Sequence, residues 1–288
     1  MKEKLIFQHY LTAYIDLLGQ KDELKKINKI PDNSTEEEEF KKCISESVLK
    51  VIHFRNTFDD YFTSAKSHTP NTSLVSPAHW DEFIASQKSE VIYNGVSDSF
   101  IISVPLMNSD ENCTAINGVF ASFIALCGIG LSYLSQGIPI RAGLDVGIGT
   151  LIEENEVYGA SLERAYYMEN CLAEYPRYLV GEELINYLMF VMNQKPRTNL
   201  GRIAKGLAGK CKEMIIQDTD GRYMLDFLGN AFRENISEAI DKDTITNAEK
   251  FILSMYKKFL KEKNQKLSLR YYRLMSYFNS QKKNWVIT

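Results

Sequence analysis

Residues 11 to 19, Leu-Thr-Ala-Tyr-Ile-Asp-Leu-Leu-Gly, form an apolar run interrupted by one carboxylate, Asp16, and closed by a glycine. A run of that length and composition reads as a buried strand ending in a tight turn. Asp16 then sits at the strand's end, where a charge is costly unless something cationic binds it. A carboxylate that caps a helix beginning near Asp22 fits the same residues. A second segment of the same kind, Val91 to Pro105 with Asp98 inside it, favours the strand-end reading.

The chain has 288 residues, 44% of them hydrophobic and 25% charged, which suits one large globular domain or one domain with an appendage. A net charge of −3 argues against a nucleic-acid backbone as the main partner. Five cysteines (Cys43, Cys113, Cys127, Cys171, Cys211) are odd in number and form no C-x-x-C pair. They read as buried thiols in a reducing cytoplasm, without a disulfide framework or zinc site. The N-terminal residues lack a long apolar core, and the apolar stretch Gly118 to Leu134 is broken by Ser122, Gly128, Gly130 and Ser132. Neither export nor a membrane span is expected.

Taken in order, Pro31-Asp32-Asn33-Ser34-Thr35 before Glu36 to Glu39 is a helix start signal, with acidic residues where the helix dipole favours them. Phe40, Ile44, Val48, Val51, Phe54, Phe58 and Phe62 then recur at helical spacing as one apolar face. Residues 64 to 88 are polar, with Pro70, Pro77, His68, His79 and Trp80, and read as a long insertion. The two histidines lack partners at metal spacing. Glu90 to Pro105 reads as a hairpin turning at Asn94-Gly95, which puts Asp98 on its second strand. Cys113 to Gln136 suggests a buried helix, and Ile138 to Gly149 a strand with glycines at points of close backbone approach. A turn at Glu154 to Gly159 leads into a helix, followed by a strand at Tyr178 to Val180 and a helix at Glu182 to Met192. Met214 to Gln217 and Arg222 to Leu228 flank a second hairpin turn at Asp218 to Gly221. Ile252, Met255, Phe259, Leu267, Tyr271, Leu274 and Phe278 then return to helical spacing. The expected fold is an α+β sandwich, a mainly antiparallel sheet with helices on one face. Residues 1 to 230 form the main domain and 231 to 288 a helical appendage.

Two carboxylates at strand–turn junctions are what two-metal phosphoryl transfer needs. Jointly, the residues resemble the class III nucleotide cyclases, and more closely the pyrimidine (uridylate and cytidylate) cyclases of the bacterial Pycsar antiphage system. Tyr14-Ile15-Asp16-Leu17-Leu18-Gly19 resembles the first metal motif of that family and Gly95-Val96-Ser97-Asp98-Ser99-Phe100 the second. Pro139-Ile140-Arg141-Ala142-Gly143-Leu144 is similar to the strand that carries a phosphate-contacting arginine. Tyr158 to Glu169 occupies the place of the helix start that supplies transition-state residues. The similarity covers residues 11 to 228.

The resemblance implies that Asp16 and Asp98 hold two Mn²⁺ or Mg²⁺ ions together with the Leu17 carbonyl. It implies further that the amides of Leu18 and Gly19 cradle phosphates and that Arg141 faces the triphosphate. Asn94 and Glu156 fall where purine cyclases place a base-reading lysine and a carboxylate. The amide argues against ATP and leaves UTP and CTP open, because it offers either hydrogen-bonding sense. Two departures stand out. The family's transition-state asparagine and arginine align with Glu163 and Tyr167, so either the register slips and Arg164 serves, or stabilisation comes from elsewhere. Arg222 lies near the place of a phosphate-binding lysine, and an ordinary hairpin arginine fits it equally. The implied activity is cyclisation of UTP, with CTP as the alternative, to the 3′,5′-cyclic nucleotide and pyrophosphate in a head-to-tail homodimer with composite sites. The product would be a messenger for a separate cyclic-nucleotide-gated effector. A degenerate cyclase-like binding module and a different two-metal nucleotidyltransferase remain as alternatives. The latter's Gly-Gly-Asp/Glu-Glu-Phe hairpin is absent, with Gly95-Val96-Ser97-Asp98 in its place.

Overall fold

Strand β1 (Phe7–Leu17) alternates strictly: Leu11, Ala13, Ile15 and Leu17 enter the core, while Thr12, Tyr14 and Asp16 face the other way. Period-two geometry fixes that division, and pairing on both edges holds it in register. The structure is a computed structural model describing residues 5–19, 29–67, 77, 80–96, 99–107, 110–152, 155–236 and 240–285, and for Glu82 and Val96 the backbone alone.

β1 lies between β3 (Ser99–Pro105) and β4 (Ile140–Ile152), antiparallel to both. β2 (Ile92–Val96) extends the sheet beyond β3, and β6 (Tyr178–Val180) joins β4 in parallel. β8 (Tyr223–Leu225) and β7 (Ile215–Gln217) complete that side, giving the order β2-β3-β1-β4-β6-β8-β7. β5 (Glu156–Gly159) returns antiparallel along the far end of β4 and approaches β2. The sheet is therefore mixed and mostly antiparallel, within an α+β fold.

The long helices cover the face to which Leu11 and Ile15 point. α1 (Ser34–Ser67) starts where the sequence signals it: Asn33 accepts the Glu36 amide at 3.0 Å and Glu36 accepts the Asp32 amide at 3.0 Å, a reciprocal cap. Its apolar face is only half used. Phe54, Phe58 and Phe62 are buried, whereas Ile44 and Val48 are exposed. Thirty-four residues span about 50 Å at ~1.5 Å per residue, so α1 outruns the helix it packs on. That helix is α3 (Cys113–Ser135), buried on every side; it is apolar and long enough to cross a membrane by composition, but 94% of its most apolar window is inside the fold. Between α1 and β2 the expected insertion contains a short helix, α2 (Trp80–Ser86), and α1 itself runs into it as far as Ser67. His68 and His79 lie outside the described residues.

The opposite face carries α4 (Ala160–Tyr167), continued by a π-helical turn over Met168–Leu172. α4 approaches β4 so closely that a Cβ on Gly143 would strike the Ala165 carbonyl. Glycine is the residue that allows this. α5 (Glu182–Asn193), α6 (Asn199–Glu213) and the short α7 (Asn230–Ile236) extend the first layer. α8 (Lys242–Lys261) and α9 (Gln265–Gln281) form an antiparallel pair whose Ala248, Ile252, Leu274 and Phe278 join the same core. The pair is latched to the chain after β8: Tyr277 donates to Asp226 at 2.7 Å and accepts the Leu228 amide at 3.1 Å, and Trp285 donates to the Leu228 carbonyl at 3.0 Å.

One sequence expectation fails clearly. Asn94-Gly95 is not the turn of the first hairpin; Asn94 pairs with Ile101 and Gly95 with Phe100 inside the ladder, which runs on to Val96 opposite Ser99. Gly95 is small for another reason. The Arg55 guanidinium lies where its Cβ would be, stacked 5.4 Å from the Phe100 ring centre. The second hairpin turns at Asp218 to Gly221 as expected, with Gly221 at φ 82°.

Candidate active site

Cross-strand register builds the site. Asp16 stands opposite Ser99 on one side and Arg141 on the other, so all three side chains leave the same face of the sheet. Ser99 Oγ lies 3.4 Å from Asp16 Oδ1, and Arg141 Nη2 lies 3.6 Å from Asp16 Oδ2. The shorter contacts of Arg141 go elsewhere: its Nε and Nη2 reach Glu169 Oε1 at 2.6 and 2.5 Å. Glu169 is buried in the π-helical turn, so Arg141 is held from below by a carboxylate that water barely reaches. Tyr14, one step back along β1, packs edge-on against Tyr166 of α4, ring centres 5.1 Å apart. Burial raises the Tyr14 pKa, the hydrogen bond with Ser99 opposes this, and the charges of Glu169 and Asp16 add to the rise. The phenol therefore stays protonated throughout the neutral range.

The sequence-derived site residues fall into three places. Asp16 and Arg141 lie side by side, with Leu17 buried at the end of β1. Asp98 lies outside the described residues; Ser99, which follows it, is the partner of Asp16. Gly19 has φ 99°, the left-handed turn anticipated after the strand. The Leu18 amide is a correction. It donates to the Pro139 carbonyl at 3.0 Å, so the edge of the β1–β4 ladder already uses the group assigned to phosphate.

Asn94 sits on β2 and Glu156 on β5, elements that approach each other; Glu156 is exposed, and Asn94 accepts the Gly95 amide at 2.7 Å. Asn94 shares the face and row of Tyr14 through Ile101, whereas Glu156 and Arg141 lie at opposite ends of β4.

Glu163 and Tyr167 occupy the exposed side of α4. Tyr167 lines a separate cavity of about 440 Å³ together with Arg164, Asp145 and Arg222. A slipped register does not release Arg164. Its Nε donates to the buried Asp145 at 2.6 Å and its Nη2 to the Val146 carbonyl, while Asp145 also caps the Leu184 amide at 2.9 Å. Arg222 pairs with Asp220 at 2.8 Å on the hairpin, as an ordinary hairpin arginine would.

Glu169, Ser99 and Tyr14 carry the local geometry, and sequence reasoning gave them no role. The one signal was position: Glu169 and Tyr14 lie within segments already singled out, and Ser99 directly follows Asp98. A second buried group was also missed. Arg177, fully buried, donates to Asp218 and to Asp220, the latter at 2.7 Å, and to the Leu172 carbonyl at 2.9 Å. Burial alone would raise the Asp220 pKa, but the guanidinium of Arg177 and the bonds from Arg222 outweigh it and hold the carboxyl well below the usual range. This network ties the π-helical turn to the β7–β8 hairpin and so braces Glu169.

No family model and no curated protein matches the chain. Among solved structures, a bacterial light-regulated adenylyl cyclase aligns at a TM-score of 0.39 and 12% identity over 87% of this chain and 58% of that one. The chain thus spans less than two thirds of that protein's length. The catalytic core of a rhodopsin-guanylyl cyclase with converted specificity, in complex with ATPαS, aligns at 0.33 and 13% identity over 78% of this chain and 98% of that one.

Proposed function

We propose that the chain is a class III-like nucleotide cyclase that acts on a pyrimidine nucleoside triphosphate, UTP in the first instance and CTP as the alternative. The observation that carries this reading is the register in which Asp16 faces Ser99, the residue after Asp98, with Arg141 alongside on β4. Asp16, Ser99 and Arg141, remote from one another in sequence, thereby share one face and one end of the sheet. The reading assigns the chemistry to residues 1 to 230.

The residues present suit a hard divalent cation of the Mg²⁺ or Mn²⁺ type. Such ions take oxygen ligands and keep several waters and substrate phosphates, so few protein carboxylates are needed. Among the described residues no group of three or more His, Cys, Asp or Glu could hold a metal. Asp16 at a half-buried strand end matches that sparse donor set, with Asp98 and the Leu17 carbonyl as its proposed companions. Bound there, the metal pair would lower the pKa of the substrate's 3′-hydroxyl and offset triphosphate charge.

The chain's own work is positioning. Arg141, steadied by Glu169, orients the phosphates; Gly19 lets the chain turn away from them; Asn94 and Glu156 read the base. The 3′-oxygen bonds to the α-phosphorus, the α–β phosphoanhydride bond breaks, pyrophosphate leaves with its electron pair, and the hydroxyl proton passes to solvent. No protein nucleophile is needed. The reading includes a head-to-tail homodimer in which one copy supplies Asp16 and its partner the base-reading strands, and a messenger role in antiphage defence through a separate effector.

The test is incubation of the purified protein with each of the four ribonucleoside triphosphates and Mn²⁺, followed by chromatography. Cyclic UMP or cyclic CMP is expected; cyclic AMP as main product would overturn the pyrimidine assignment, and no cyclic mononucleotide the enzyme reading. A second reading, a binding module without turnover, is favoured by the engagement of Arg164 with Asp145 and the outward placement of Glu163. It predicts nucleotide binding with no product in the same assay.

A further inference from the structure

Arg141 also lines a cavity of about 420 Å³ between the π-helical turn and α9. Its wall contains Arg141 together with Lys266, Arg270 and Arg273, which follow one another at four- and three-residue steps along one face of α9. Glu174 is the acidic residue in that wall; it pairs with Arg273 at 2.5 Å, as Glu169 pairs with Arg141. With Glu169, Glu174 and, at 3.6 Å from Arg141, Asp16 set against the four cations, positive charge still remains in excess. Burial and the nearby charge of Arg141 push Arg270 below the ordinary guanidinium range, so the two cations repel across the cavity. Folding alone does not favour holding cations together in this way; an anion between them would.

We propose that this cavity binds a polyphosphate chain, with α9 supplying Lys266, Arg270 and Arg273 and the sheet supplying Arg141. Arg141 is shared between this cavity and the Asp16 group, so a chain of phosphates lying on it runs from the Asp16 end towards α9. The inference rests on the cyclase reading for the identity of that chain, the triphosphate tail of the substrate or the pyrophosphate that leaves. The C-terminal helices then belong to the binding machinery rather than only to the scaffold. The guanidinium groups suit this role, since their planar forks match phosphate oxygens in pairs.

Binding of inorganic tripolyphosphate, pyrophosphate and orthophosphate to the full chain, followed by isothermal calorimetry, tests the proposal apart from catalysis. Wild-type protein is expected to bind the two polyphosphates and to bind orthophosphate at least tenfold more weakly. Arg270→Ala and the Lys266→Ala/Arg270→Ala pair should weaken polyphosphate binding ten- to hundredfold. Lys257→Ala, on the exposed side of α8, should leave it unchanged, and thermal melts should match the wild type. Absence of polyphosphate binding by the wild type, equal binding of orthophosphate, or insensitivity to the α9 substitutions would each overturn the proposal. If the α9 variants lose binding but no triphosphate is cyclised by the wild type, the cavity assignment stands and the cyclase reading falls. If cyclisation proceeds with KM and pyrophosphate inhibition unchanged in the variants, the cyclase reading stands and the cavity assignment falls. A raised KM would identify the chain as the substrate's tail, and weakened pyrophosphate inhibition alone as the departing product; either supports the site.

Discussion

Glu169 decides how Arg141 can act. Because the guanidinium makes its short contacts to this buried carboxylate, it meets Asp16 at a longer distance and presents a fixed edge to the cavity. Glu169→Gln removes the charge that anchors it, leaving Arg141 to collapse onto Asp16. On the proposed cyclase reading, turnover is expected to fall at least tenfold with a smaller rise in KM, measured as steady-state cyclic nucleotide formation, while the melting temperature shifts by only a few degrees. Arg177 stands in contrast as a purely structural cation. Arg177→Ala leaves Asp218 and Asp220 facing an empty pocket and should cost about 3–5 kcal/mol in urea unfolding. The same network sets a pH dependence. The Asp220 carboxyl titrates lower in the folded chain than in the unfolded one, so its contribution is present above the unfolded value near pH 4 and is lost as pH falls below it. Denaturation followed from pH 6 to pH 3 should show a loss of stability that Asp220→Asn reduces. At this scale Asp16 and Arg141 were legible, because each breaks an apolar strand with a charge. Glu169 was not, since nothing in a helical heptad marks a residue that a π-helical turn rotates inward.

At the scale of elements, the central strands and the buried helix α3 announce themselves through unbroken apolar periodicity. Asn94-Gly95 shows where that legibility stops. The dipeptide carries a strong turn preference, yet the glycine is there to admit Arg55 from the helix layer, a contact from forty residues away that no local pattern encodes. Gly95→Ala should therefore cost stability by displacing Arg55 rather than by disturbing a turn. α1 presents the converse case, an apolar face read correctly from sequence that the fold covers only in its second half. The Tyr277 latch is also an element-level device, joining α9 to the chain after β8. Tyr277→Phe strands the buried Asp226 carboxylate and the Leu228 amide, a loss of about 1–3 kcal/mol visible as a lower melting temperature.

For the molecule as a whole, the sequence conveyed an α+β sandwich but not that the last helices share its core and one wall of the Arg141 cavity. Helical spacing in α9 says which side is apolar; what the polar side meets depends on packing across the whole chain. The composite-site reading makes a prediction at the same scale. Asp98→Ala and Glu156→Ala proteins, each inactive alone, should regain about a quarter of wild-type turnover when mixed under conditions of subunit exchange, as expected for one intact site of the two in half of the randomly paired dimers. No recovery despite demonstrated exchange would count against a shared site.

The placement of β1 inside the sheet, between β3 and β4, has a further consequence during synthesis. Its second neighbour, β4, begins more than 120 residues after β1 ends. At ~5–20 residues per second the ribosome needs roughly 6 to 24 s to deliver it. Throughout that interval the edge of β1 that β4 will cover is open, which makes the nascent N-terminal half of the chain a strong claimant on chaperones.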